Sequence, residues 1–483
     1  MKFMRTKIVS ILTFASCLMF CGCQGAGGYV KVSDKNPQYT ELSDGTPYVA
    51  VGYNLCFPRW WDKMGEDECF EMIETHMKNI HENGGNYVRV WFSHPFYEIE
   101  DEKAGVYNPK KIARVKRFMQ LAQKYDIRVK ICLEHFRNIK KYVPAENERG
   151  LPRGLFERKA YDGEFKSMSE YFESEKGKSY FFNRFKVFAD LFRDNPNVYA
   201  WELWNEFNCP AAPNELCVKW QEEMFERIRR ECPNHLVVNS YGSFDGDRSA
   251  DAYKLFMKDT TNDIALIHRY IDEGAKYGVC QAPMDLLSAD AIDTIKIIYP
   301  NKPAYLAETG GCQPRHSGAI RFYDMDKDGI IFHDAFYTPF FRGSAGAGQM
   351  WHWDLYIHKH GLWKHLKPFS QLIKGINPIA ENFVPTRLDT KKCRVWTING
   401  KKTILAFIRD SKNDWKSEFI KGEKPTEISN ENIDFSKLVG NREIANVRVY
   451  DLWNGADATC VKLSPKVALP NFKRSIAIRI DLK

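Results

Sequence analysis

Residues 198–207, VYAWELWNEF, decide the fold. Val198, Tyr199, Ala200 and Trp201 run together without polar alternation, as in a strand buried on both faces of a parallel sheet. The run closes on Trp204, Asn205 and Glu206. Desolvating an unpaired charge is costly, so a glutamate among aromatic neighbours is paired, exposed at a strand end, or tuned for chemistry. A second stretch, PAYLAETGG at 303–311, sets Glu308 at the end of another short apolar run bounded by Pro303 and Gly310. Two acids at two strand ends suggest a pair.

Working outward, similar runs occur at 48–57, 86–94, 127–136, 236–243, 264–270 and 346–354, which with the two above make eight candidate strands. Helical patterns separate them at about 65–83, 109–124, 177–193, 213–231, 283–298, 330–342 and 362–375, with a weaker one near 249–258. Leu216, Trp220, Met224 and Ile228 recur at helical spacing in one of these, which starts near Pro213 and Asn214 and ends at Cys232 and Pro233. Strand and helix alternating in this way predict an α/β fold, a (β/α)8 TIM barrel over 48–376. Long stretches at 137–176 and 311–329 follow the third and seventh strands, and both would emerge at the C-terminal face, where such barrels carry their active sites.

Residues 29–47 read as a polar N-terminal β-hairpin turning at Ser43, Asp44 and Gly45. At Asn377 and Pro378 the helical rhythm stops, and 377–392 reads as a linker. Beyond it, CRVWTI, KTILAFI, ANVRVYDLW and RSIAIRIDL alternate apolar and polar residues, predicting a small C-terminal antiparallel β-sandwich over 393–483.

The first residues combine Lys2, Arg5 and Lys7 with an apolar run from Ile8 to Phe20, the pattern of a signal peptide over 1–22 and too short for a spanning helix. The cysteine after that run resembles a bacterial lipoprotein signal. Cys23 is the preferred lipidation site, with Cys21 and Cys17 as alternatives. The expected location is the cell envelope or outside the cell, with contact to a membrane through the lipid if Cys23 is acylated. The net charge is +8 and part of it lies in the leader; no block of lysine and arginine interleaved with aromatics follows, which argues against nucleic acid as a partner. Hydrophobic residues at 44% suffice for a large core and a smaller one. Of the 13 cysteines, the ten beyond the leader form no CxxC pair and no zinc-like spacing with histidine.

If the strand register holds, Glu206 ends strand four and Glu308 strand seven, facing each other across one pocket. Facing carboxylates suit glycosidic bond cleavage, one protonating the leaving oxygen while the other attacks the anomeric carbon. Here the chain resembles the clan A glycoside hydrolases, above all the family 5 type related to cellulases and β-mannanases. The resemblance covers about 45–376 and is strongest at Trp204-Asn205-Glu206 and Ala307-Glu308-Thr309-Gly310. It implies a retaining glycosidase acting on a β-linked polysaccharide or oligosaccharide, with β-mannan or β-glucan favoured. That chemistry requires no metal and no organic cofactor, so none is expected. Glu206 would be the acid/base, Glu308 the nucleophile, and Asn205 a ligand of the sugar 2-hydroxyl. Arg89 would hold the nucleophile, and His268 and Tyr270 match a His-x-Tyr pattern on strand six. His135 would neighbour the sugar and Trp351 would floor the site. The alternatives are a surface glycan-binding protein without activity, and a transglycosylase.

Several of these residues have structural readings too. Arg89 could pair with the deeper Glu202, and His135 could be a core histidine. One of Trp351 and Trp353 could be floor and the other packing. Among Phe57, Trp60, Trp61, Trp91, Phe92, Phe96 and Tyr97, Trp60 or Trp61 is the better sugar-stacking candidate, being beyond the strand. Asp324, Asp326, Asp328 and Gly329 imitate the start of a calcium loop, but Ala335 stands at the twelfth position, and a helix cap by Asp328 is the favoured reading.

Overall fold

The computed structural model of the protein describes residues 28–135, 159–242, 244, 247–257, 262–455 and 458–483. The expected leader and Cys23, and the first part of the 137–176 stretch, lie outside the described residues.

Strands β1 (Val30–Val32), β2 (Thr40–Leu42) and β3 (Pro47–Tyr48) pair antiparallel in that order, so the expected hairpin is a three-strand meander. Its second turn sits at the predicted place: Thr46 N donates to Asp44 Oδ1 at 2.8 Å, and Gly45 takes a φ of 88° that favours glycine.

The alternating part follows as β4 (Gly52–Asn54), α1 (Glu66–Glu82), β5 (Tyr87–Trp91), α2 (Pro109–Lys124) and β6 (Arg128–Cys132). Next come α3 (Met168–Glu173), α4 (Glu175–Phe192), β7 (Val198–Glu202), α5 (Asn214–Glu231), β8 (Leu236–Val238) and α6 (Asp247–Met257). Then follow β9 (Ala265–His268), β10 (Ile271–Asp272), α7 (Met284–Ile298), β11 (Ala304–Glu308), β12 (Gly311–Cys312), α8 (Ile330–Phe341) and α9 (Leu366–Ile373). In α5, Trp220, Met224 and Ile228 are buried and Leu216 is half-buried, as the spacing required.

Strands β4 to β8 make one five-stranded parallel sheet in sequence order, and β9 pairs parallel with β11. Between β8 and β9 the contact is sparser, with Asp263 N donating to Val237 O and Phe244 N to His268 O. The expected eighth strand at 346–354 forms no regular ladder; it makes single parallel bridges, Ala50 to Gly346 and Thr309 to Met350. Its backbone still serves both sides, since Gln349 N donates to Leu306 O and Trp351 N to Thr309 O, while Asn54 N donates to Met350 O. Gly346 and Gly348 permit this. A Cβ on Gly346 would stand 2.5 Å from Ala50 O, and one on Gly348 2.0 Å from Ala335 O.

The chain then adds β13 (Val384–Arg387), β14 (Cys393–Asn399), β15 (Thr403–Asp410), β16 (Glu427–Ile428), β17 (Asn432–Asp434) and β18 (Ile444–Tyr450). It ends with β19 (Thr459–Cys460), β20 (Lys466–Ala468), β21 (Phe472–Lys473) and β22 (Ser475–Leu482). Six of these form an antiparallel sheet ordered β13-β14-β15-β22-β18-β19. Its edge strand β13 lies inside the stretch expected as linker, where Val384–Arg387 pairs with Trp396–Asn399.

Alternation along this sheet separates two buried faces. Val395, Ile404, Ala406, Ile408, Ile476, Ile478 and Ile480 share one apolar cluster with Ile428, Ile433, Val467 and Phe472 from the short ladders β16-β21 and β17-β20. Trp396, Ile398, Leu405, Phe407 and Ala477 join the core of the alternating part instead. Helix α8 lies at that junction, and every one of its residues is buried, which explains why apolar side chains run all round it with only a few polar ones between them. Ion pairs cross the same junction. Arg394 donates to both oxygens of Asp285 on α7 at 2.6 and 2.8 Å, and Arg409 Nε to Asp334 on α8 at 2.8 Å.

Helix α8 also settles the acidic loop before it. Asp326, rather than Asp328, caps the helix, its carboxylate accepting from the backbone N–H groups of Gly329, Ile330 and Ile331 at 2.8–2.9 Å. Asp328 instead pairs with Arg474 at 2.8 Å and Asp324 with Lys359 at 2.6 Å, so the three acids point to separate partners.

Candidate active site

The register of the parallel strands builds the floor of the site. Asn54, Arg89 and Lys130 are successive cross-strand neighbours on β4, β5 and β6, and all three are buried. Buried charge demands partners. Arg89 meets Glu202 through Nε at 2.6 Å and Nη2 at 2.8 Å, and its Nη1 reaches Glu308 Oε1. Arg89 Nη2 also donates to Asn205 Oδ1 at 2.6 Å and Nη1 to Asn54 Oδ1 at 3.3 Å. The two roles considered for Arg89 are therefore one arrangement: its fork is braced on Glu202 from below and presents the remaining edge to Glu308 and Asn205.

Burial works against the Arg89 charge, but Glu202 and Glu308 outweigh it and hold the guanidinium further above its ordinary value. Burial likewise pushes Glu202 up, while Arg89 and Lys130 pull harder, leaving it below the usual carboxylate range. Lys130 Nζ stands 3.7 Å from Glu202 Oε2, and burial brings it down to about 8.

Glu308 ends β11 as expected. A register shift between Leu306 and Glu308 sets it opposite His268 on β9. Arg89 takes its Oε1, and Tyr270 donates its hydroxyl to Oε2 at 2.6 Å. Burial raises the Glu308 carboxyl above its ordinary value, with Arg89 and Tyr270 opposing that rise. Burial and then the neighbouring carboxylates push Tyr270 well up, so it keeps the proton it donates.

Glu206 lies four residues past the regular end of β7, at Glu202. Its φ of 49° is in the left-handed region, a conformation a glutamate keeps only when its surroundings over-determine it. They do. Asn205 N donates to Glu134 O at 2.8 Å, Glu206 N to Ser240 Oγ at 3.0 Å, and Phe207 N to Ser240 O at 3.0 Å. Gly242 completes the cradle, since a Cβ there would stand 2.1 Å from Glu206 Cδ. Asn208 fastens that glycine, accepting from Gly242 N at 2.9 Å.

His268 Nδ1 lies 2.9 Å from Glu206 Oε1 and 3.4 Å from Glu308 Oε2. Burial, then Arg89 and Lys130, hold its pKa well below the ordinary value, so the ring is neutral. One carboxylate oxygen of each glutamate and this nitrogen all lie within 4.8 Å of one another. Asn205 Nδ2 has no hydrogen-bond partner among the described residues, a donor available beside the pair.

Trp91 links the remaining candidates to this site, its ring centroid 5.7 Å from Arg89 Cζ. His135 bonds Ser93 Oγ through Nδ1 at 2.7 Å and stacks on Trp91 with centroids 4.8 Å apart. Trp351 lies 4.9 Å from Trp91 and is half-buried, whereas Trp353 is fully buried. Trp91, Phe92, Phe96 and Tyr97 are buried, Trp61 is half-buried under Lys111, and Trp60 is 39% exposed. Phe172, on α3 within the stretch expected as loop, packs against Trp204 and Phe207 beside the Glu206 turn. Asn54, Lys130, Ser240 and Gly242 escaped the sequence reading. All four lie inside predicted strand runs, but nothing in those runs distinguishes them from ordinary strand residues.

A family model described as cellulase (glycosyl hydrolase family 5) matches residues 43–327, a span holding both glutamates. Mannan endo-1,4-beta-mannosidase 7 of Arabidopsis thaliana is 25% identical over 393 residues, covering 73% of this chain and 85% of that protein. Mannan endo-1,4-beta-mannosidase 3 of the same plant is 22% identical over 369 residues, covering 68% and 83%. Among solved structures, a glycoside hydrolase family 5 protein of Bacteroides vulgatus ATCC 8482 is alike in fold. Its TM-score is 0.58 at 13% identity, over 95% of this chain and 94% of that one.

Proposed function

The chain belongs to glycosyl hydrolase family 5 and hydrolyses O-glycosyl bonds, and from that premise we propose that it cleaves β-linked mannan with retention of anomeric configuration. The observation that carries this is the close setting of Glu206 and Glu308, with an oxygen of each and His268 Nδ1 within 4.8 Å of one another. Retaining enzymes keep their carboxyl groups about 5–5.5 Å apart, while inverting ones need roughly 6.5–9.5 Å to admit a water.

In this mechanism Glu308 attacks the anomeric carbon as the bond to the leaving oxygen breaks, and Glu206 gives that oxygen a proton. Glu206 then takes a proton from water, whose oxygen attacks the same carbon and releases Glu308 from the glycosyl ester. Arg89 and Tyr270 occupy one oxygen each of the resting nucleophile, which fixes its plane toward the sugar. Asn205 Nδ2 donates to the 2-hydroxyl, a contact that strengthens as the oxocarbenium-like transition state develops. Trp351 supplies the apolar face beneath the sugar, and His135 lies along its edge. We read the strands and the 346–354 segment together as a (β/α)8 barrel, backed by the C-terminal sheet and its short ladders as a β-sandwich.

Mannan as substrate draws on the two plant relatives. A 2-deoxy-2-fluoromannosyl inactivator should label Glu308, and labelling elsewhere would sink the nucleophile assignment. Proton NMR of the first product should show the β-anomer, whereas an initial α-product would mean inversion. Binding without turnover on β-mannan and β-glucan alike would restore the glycan-binding reading. The proposal includes export through a leader over 1–22 with Cys23 acylated. Radiolabelled palmitate incorporation should vanish in Cys23→Ala and persist in Cys21→Ala.

A further inference from the structure

A second cluster of chemically capable side chains stands beside the nucleophile, formed by Asp272 of β10, Cys312 of β12 and His316 in the turn at Pro314–His316. Strands β10 and β12 run parallel with Asp272 opposite Cys312, so two of the three are cross-strand neighbours. The third returns through a tight loop in which Gln313 N donates to Gly318 O at 2.9 Å and Cys312 bridges Ala319. His316 has a φ of 54°, a left-handed conformation that non-glycine residues keep where the surroundings over-determine it. That turn brings its imidazole back, with Nε2 3.4 Å from Asp272 Oδ2. Asp272 Oδ1 is already fixed by Gly274 N at 2.7 Å, which aims the other oxygen.

We propose that Asp272, Cys312 and His316 bind a single transition-metal dication, with zinc the best match. One ligand atom of each lies within 4.8 Å of the others. Zinc bonds of 2.0–2.3 Å in a tetrahedron place ligand atoms about 3.3–3.8 Å apart, a closure that small side-chain rotations supply. Thiolate, imidazole and carboxylate together select zinc over magnesium or calcium, which prefer oxygen alone. The thiolate and carboxylate also neutralise both charges of the ion. Asp272 and Cys312 are buried whereas the His316 side chain is 30% exposed, leaving the fourth position to water. The metal ties the loop after Glu308 to the strand end carrying Tyr270, whose ring meets that of His316 edge-on at 5.4 Å.

Glu206, His268 and Glu308 also lie within 4.8 Å of one another, so the test must separate the two clusters. Thiolate coordination does so. The purified full chain, stripped of metal, should bind one equivalent of zinc at the thiolate site by calorimetry and should give a thiolate-to-cobalt charge-transfer band when titrated with cobalt. Cys312→Ser should abolish the band and remove that equivalent, while Cys460→Ser and Glu308→Gln should keep both. Zinc should raise the melting temperature of the wild type and not that of Cys312→Ser. His316→Gln, in a partly exposed turn, decides the matter if Cys312→Ser does not fold: loss of the band supports the site. No thiolate band in the wild type, a band retained in Cys312→Ser or His316→Gln, or zinc binding lost only in Glu308→Gln would overturn it.

Discussion

At the scale of single residues, the site is a set of constraints on two carboxylates, and each constraint has its own signature on removal. Tyr270→Phe deletes a hydrogen bond that opposes the rise of the Glu308 carboxyl. With Glu308 as the proposed nucleophile, which must be ionised to attack, the folded-state pKa should climb further and the acid limb of kcat/KM should move to higher pH. Activity in acid falls more than activity near neutrality, which a pH–rate profile reads directly, whereas a merely structural loss would lower all points alike. Glu206→Gln should cost about 10²–10⁴-fold in kcat, the usual weight of a positioned proton donor, and least on substrates whose leaving group departs without protonation. Gly242→Ala drives a Cβ into the Glu206 carboxyl. It should depress kcat with the circular-dichroism spectrum unchanged, and an unaltered kcat would remove Gly242 from the cradle. Much of this site was legible: Glu206, Glu308, Arg89, His268 and Tyr270 all sat at predicted strand ends and all converge. Gly242 and Lys130 were not, because their importance lies in what approaches them from another strand, and no local pattern records that.

At the scale of elements, helix α8 and the strands around it carry the instructive differences. Asp326 accepts from three backbone N–H groups at the α8 start, so Asp326→Ala should destabilise the chain by about 0.5–2 kcal/mol, measured by urea denaturation, and Asp328→Ala by less. Spacing could show that an acid caps the helix but could not choose between two acids two residues apart. Helix boundaries were otherwise legible to within a few residues, because apolar periodicity fixes a helix from its interior outward. The eighth strand was legible as an extended apolar run but not as a broken ladder, since Gly346 and Gly348 act by letting other backbones come close. The edge strand β13 was hidden for a different reason. VPTR has too little apolar character to announce a strand, and its pairing is supplied by β14.

At the scale of the whole molecule, one face of the C-terminal sheet shares a core with the parallel strands, so the two should unfold together. Asp285→Ala leaves Arg394 buried at the junction without its carboxylate, which should cost about 3–5 kcal/mol. Calorimetry should show one transition moving down, while two separate transitions would mean the halves unfold independently. Acid should loosen the whole. Burial holds His76 and His352 at about 3 and His235 and His365 at about 4, against an ordinary value of 6.5. Their folded-state values are depressed, so the stability they contribute is present above 6.5 and is lost as pH falls toward 4 and then 3. Asp334, raised to about 6, and the carboxyls of Asp263, Asp293, Asp326 and Glu308, which burial also raises, work in the opposite sense. The order β13-β14-β15-β22-β18-β19 also has a temporal side. The strand at Ser475–Leu482 fills the space between β15 and β18, both of which leave the ribosome before it. Until Ser475–Leu482 is made, β15 and β18 lack the neighbour that joins them and α8 lacks the contact of His333 with Ser475. A nascent chain stalled before Ser475 is therefore the form in which chaperones and proteases would find apolar surface to grip.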